Sequence, residues 1–106
     1  MPLYNPPATF SLPVDTSSTA TEVSNSLSTT AAEIIPANTN RKGLTIFNTL
    51  NQTLYLDAVS GVTTTNYMVA IPAGGFYELP TNKIYTGHFY GILASGTGSV
   101  EIREFT

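Results

Sequence analysis

Ser99-Val100-Glu101-Ile102-Arg103-Glu104-Phe105 is the stretch whose pattern decides the fold. In an extended chain successive side chains point to opposite faces, so Val100 and Ile102 face one way and Glu101 and Arg103 the other. That is a strand with one apolar face and one wet face. Six β-prone segments precede it, at residues 29–35, 44–48, 53–57, 67–71, 76–79 and 88–93. Turn chemistry separates them: Pro36, then residues 37–43, with Gly43 suited to a positive φ, then Asn51-Gln52, Ser60-Gly61, Pro72-Ala73-Gly74-Gly75, Pro80 and residues 94–98. Short strands recurring about every 8–12 residues, with no helical period anywhere, indicate an all-β chain. The expected form is a small antiparallel β-sandwich or barrel of about seven strands over residues 28–106. No internal repeat is visible.

Residues 1–27 read differently. They contain no Gly, Lys or Arg, and their only charged side chains are Asp15 and Glu22. Pro2, Pro6, Pro7 and Pro13 fix φ and remove backbone donors, which excludes a helix or a central strand there. Yet Leu3, Tyr4, Phe10, Leu12 and Val14 make the stretch too apolar for a solvated tail. The expectation is an extended arm, rich in Pro, Ser and Thr, that orders by laying these side chains on a neighbour.

Composition narrows the function. The 106 residues carry four basic and seven acidic side chains, a net charge of −3, and no cysteine. Nucleic acid is an unsuitable partner, because phosphate binding needs clustered Lys and Arg. Disulfides and Cys-ligated metals are excluded. No apolar run reaches the roughly 18 residues of a membrane-spanning helix, so no membrane partner is expected. Met1-Pro2-Leu3-Tyr4-Asn5 lacks the basic and apolar regions of a secretory signal. Only 10% of residues are charged, against roughly 25% in ordinary domains. The polar surface comes from 17 Thr, 9 Ser and 8 Asn. Such weakly charged β-proteins are frequent among secreted, cell-surface and virion components.

Candidates for chemistry are few. His88 is the only histidine, with no Ser or acid at triad spacing, and is expected as a strand residue with an exposed or interface-facing ring. Glu101 and Glu104 fall on opposite faces of one strand, and Glu33, Asp57 and Glu78 sit on different strands. No carboxylate pair for glycoside hydrolysis is therefore legible. Asp57 has no partners at calcium-loop spacing, and one histidine cannot build a zinc site. Gly96-x-Gly98 is a hairpin turn. The chain is read as a non-enzyme without metal or cofactor. Of the adjacent rings in Phe76-Tyr77 and Phe89-Tyr90, one of each pair must leave the core. Exposed aromatics with few charges favour an assembly surface, with sugar stacking as the second reading. Arg41-Lys42 beside Gly43 is expected to be a solvated loop tip, or else a salt bridge across an assembly contact. The candidate contact residues are Leu3, Tyr4, Phe10, Leu12, Val14, Arg41 and Lys42.

The stretch from Ala32 through Pro36-Ala37-Asn38-Thr39-Asn40-Arg41-Lys42-Gly43-Leu44-Thr45-Ile46-Phe47-Asn48 resembles a small β-domain of tailed-phage virion proteins. That family's pattern runs T-x-x-I-L-P-A-N-x-x-R-K-G-L-x-I-x-N. Residues 65–67 and 72–79 resemble its middle hairpin, and residues 85–87, 94–96 and 100–106 its closing strands. The likeness covers about residues 29–106; its most distinctive part is the Asn-x-Asn-Arg-Lys-Gly turn. In length and form the chain looks most like a capsid cement or decoration protein of a siphovirus, such as one infecting cyanobacteria. The resemblance implies a non-enzymatic protein on the outer capsid surface of the virion, with the major capsid protein as partner. A homotrimer suits that role, since trimerisation adds buried area to a small domain and multiplies weak contacts. The alternative is a β-module of a phage tail or head fibre that binds host-surface carbohydrate.

Overall fold

The computed structural model describes residues 16–106, and all statements of structure below concern that range. Eight strands follow in chain order: β1 (Ala20–Glu22), β2 (Ala32–Ile35), β3 (Gly43–Phe47), β4 (Leu54–Asp57), β5 (Val69–Ile71), β6 (Phe76–Glu78), β7 (Phe89–Leu93) and β8 (Glu101–Phe105). They form two antiparallel four-stranded sheets, ordered β1-β8-β3-β6 and β2-β7-β4-β5. The fold is thus a small sandwich, not a closed barrel. Between the sheets lie Leu44, Ile46 and Ile102 from the first, and Ile34, Ile35, Leu54, Leu56, Ile71, Phe89 and Leu93 from the second. Leu27, Leu79 and Val100 complete this core from outside the strands.

The alternation expected of the last strand is present. Val100 and Ile102 are buried while Glu101 is exposed and Arg103 half-buried. Ile34 and Ile35 break the alternation, both being buried. A register shift between Glu33 and Ile35, where β2 pairs with β7, turns both side chains inward. β7 is central to its sheet, and its inward row is Phe89, Gly91 and Leu93. A Cβ on Gly91 would lie 3.0 Å from Leu27 Cδ2 and 3.1 Å from both Ile34 Cδ1 and Leu54 Cδ1. Glycine there lets three leucine-type side chains meet over the strand.

Two expectations change. The sandwich begins earlier than residue 28. β1 pairs with β8, Leu27 and Gly98 exchange backbone hydrogen bonds of 2.7 and 3.0 Å, and the Leu93 amide donates to the Ser28 carbonyl at 2.8 Å. Between these, the Asn25 side chain acts as a further peptide group, donating to the Val100 carbonyl at 2.7 Å and accepting from its amide at 2.9 Å. Residues 20–27, assigned by sequence to the arm, therefore close the edge of one sheet and cross to the other. All three β1 residues are exposed, so no apolar alternation marks the strand. Gly43 is the second change. It is part of β3 with no positive φ; its lack of a side chain makes room for the Phe105 ring, 3.4 Å from where a Cβ would sit. The positive-φ turns belong to Gly74 (φ 74°) and Gly96 (φ 75°).

Candidate interaction surface

Arg41 is not a solvated loop tip. Its side chain is 0% exposed. The cause lies in β8: alternation that turns Ile102 inward turns Glu104 inward too, and an inward carboxylate needs a partner. Arg41 Nε donates to Glu104 Oε2 at 2.7 Å, and Asn38 Nδ2 donates to Glu104 Oε1 at 2.8 Å. The guanidinium also donates to the carbonyls of Tyr85 (2.8 Å), Gly87 (2.9 Å) and Pro36 (2.8 Å), and its carbon lies 5.4 Å from the Phe89 ring centroid. One side chain thereby ties the 36–41 loop, the 85–87 loop and β8 together. The Asn-x-Asn-Arg-Lys-Gly turn has a structural part in this: Asn38 Oδ1 accepts from the Asn40 amide at 2.9 Å and shapes the loop that delivers Arg41. The signal was present in the sequence as a charged residue, Glu104, on the apolar face of the last strand.

Lys42 is exposed as expected, its Nζ donating to the Thr16 carbonyl at 2.8 Å. Leu3, Tyr4, Phe10, Leu12 and Val14 lie outside the described residues.

The two outer faces of the sandwich differ in chemistry. On the β1-β8-β3-β6 sheet, paired residues form rungs. One runs Glu22, Arg103, Thr45, Glu78; the next runs Glu101, Phe47, Phe76; the third joins Ala20, Phe105 and Gly43. Phe47 is 44% and Phe76 61% exposed, and they are direct cross-strand neighbours at the sheet edge. Arg103 pairs with Glu101 at 3.0 Å. The opposite sheet presents an aromatic face: Tyr55 beside Ile92 and Ala70, with Tyr90 one rung along between Glu33 and Asp57. The Tyr67 ring covers Tyr55 at a centroid distance of 4.9 Å. A third apolar feature is a groove of about 250 Å³ between Met68, Tyr77, Leu79, Pro80, Tyr85 and Phe89. Burial pushes the Tyr77 phenol above its ordinary value of 10.0. As the alternation required, Phe89 and Tyr77 turn to the core while Phe76 and Tyr90 turn outward.

Groups with chemical potential are spread apart. His88 Nδ1 lies 3.0 Å from Glu33 Oε1, both half-exposed, on the rim of the aromatic face. Asp57 caps its own strand end, Oδ1 accepting from the Ala58 and Val59 amides at 2.7 and 3.3 Å. Among the described residues no group of three or more His, Cys, Asp or Glu gathers in metal-binding proximity. A polar concavity of about 760 Å³ opens between Thr21, Asn38, Thr39, Asn40, Lys42 and Thr106. Fold and surface together define a small two-sheet sandwich whose distinguishing feature is exposed aromatic area. No family model, curated protein or solved structure matches the chain.

Proposed function

We propose that this chain is a non-enzymatic capsid cement or decoration protein, which binds the outer surface of a phage shell as a homotrimer and stabilises it. The observation that carries the reading is the pair of large rings, Phe47 and Phe76, side by side on an edge of a sandwich with very few charged groups. Adjoining exposed rings on a weakly charged surface suit a contact site, where aromatic side chains are enriched and charges depleted. The sequence likeness of residues 29–106 to tailed-phage β-domains supplies the setting, and the apolar residues 1–14 supply a second contact element. Many weak, symmetric contacts then give high avidity without any single strong one. Quantitative mass spectrometry of purified particles tests the reading. Hundreds of copies per particle are the expected result; a few copies would assign the chain to a tail or fibre, and none would overturn the virion reading.

A further inference from the structure

We propose that the outer face of the β1-β8-β3-β6 sheet is the surface that meets the shell, and that its occupant is a basic-rimmed apolar patch on a different protein rather than a second copy of this chain. The inference rests on the cement reading above and deepens it. Three features of the face point the same way. Phe47 and Phe76 form an exposed apolar corner of it, with Phe105 two rungs away. Glu101 and Glu78 flank them and Glu22 lies across the sheet, while among the described residues Arg103 supplies the only cationic side chain of the face, already engaged with Glu101 at 3.0 Å. Three carboxylates against one guanidinium leave two negative charges on the face. A second copy would bring the same two negative charges against them, which costs free energy; Lys or Arg at the rim of another protein would be attracted.

Size supports a multivalent partner. Four strands about 4.8 Å apart, two of five residues and two of three, span roughly 260 Å² in projection. A standard interface buries about 800 Å² per partner, so one such face holds weakly alone. Several faces presented by one oligomer, joined by the apolar arms, bring the contact into the stable range. The carboxylates chiefly speed encounter, and the phenylalanines chiefly slow release.

The test uses full-length protein and particles stripped of it. Phe47→Ser/Phe76→Ser should keep a cooperative unfolding transition and the wild-type solution mass, with a modestly lower melting temperature from the lost cross-strand pair, but bind the particles at least about tenfold more weakly. Glu22→Lys/Glu78→Lys should slow capture about tenfold and change release much less. Oxidative footprinting of bound wild-type protein, which needs no variant, should protect the Phe47 and Phe76 rings. Both variants binding within about twofold of wild type, with both rings still oxidised on the particle, would overturn the assignment of this face. Wild-type protein that does not bind the stripped particles would overturn the cement reading itself. A fall in solution mass for Phe47→Ser/Phe76→Ser would show that a second copy is the occupant.

Discussion

Replacing Arg41 tests the loop knot directly. Arg41→Met removes four hydrogen bonds and leaves Glu104 buried with only Asn38 as a partner. Breaking a buried pair from one side costs about 3–5 kcal/mol, a large part of the roughly 5–15 kcal/mol that stabilises a whole domain. Urea unfolding should show it, and Arg41→Lys should recover little, because an ammonium cannot reproduce the planar fork. Asn48 is a second such point. It is fully buried, donates from Nδ2 to the Gln52 and Ile71 carbonyls at 2.8 and 2.9 Å, and accepts from the Leu50 amide at 2.9 Å. Asn48→Ala strands these groups and should cost about 2–4 kcal/mol. Tyr77 gives a pH effect of defined sign. Its folded-state pKa is raised above 10.0 by burial, so its contribution is complete below about pH 10 and is lost as pH rises through the folded value. Stability measured between pH 9 and 11 should fall less steeply in Tyr77→Phe.

At the scale of elements, the segment before residue 28 separates into two parts with different consequences. Deleting residues 1–14 should leave a cooperatively folding sandwich, visible by circular dichroism, that binds particles poorly. Deleting residues 1–27 removes β1, the Asn25 bridge and the buried Leu27, and should abolish cooperative unfolding or lower its midpoint sharply. β7 offers a coupling test. Gly91→Ala forces a methyl among Leu27, Ile34 and Leu54 and should cost about 1–3 kcal/mol. Leu27→Ala opens a cavity beside the same point, so adding Gly91→Ala to it should cost less than in the wild-type background. Additive losses in the double mutant would show that the neighbouring side chains do not share that space.

For the whole molecule, the proposed trimer is the first thing to test. Light scattering at micromolar concentration should return about three times the 11.3 kDa chain mass. A species that stays at the chain mass at high concentration would count against a β-domain trimer and leave assembly on the shell as the route. The acidic face argues that copies do not meet through the β1-β8-β3-β6 sheet. Added salt should therefore leave the oligomer intact while slowing capture by the shell.

The amino-acid sequence by itself determined the all-β class and where most strands lie, because that information is local; the choice of an open two-sheet sandwich over a barrel came from the pairing. Period-2 alternation in β8, prolines that stop strands and small polar turns are properties of neighbouring residues, and they sufficed for seven of the eight strands and for the two-faced aromatic pairs. β1 escaped because its residues are all exposed and its support comes from backbone bonds to a strand some eighty positions later. Only the tertiary structure decided what Arg41 does. A basic side chain next to a glycine reads as surface until Glu104, 63 residues away, is seen to need it. The same holds for the candidate surface: Phe47, Phe76, Glu22, Glu78 and Glu101 come from four separate strands, and strand register alone places them on one face. Local chemistry writes which face of a strand is wet; which wet residues become neighbours is set by pairing, and pairing is non-local.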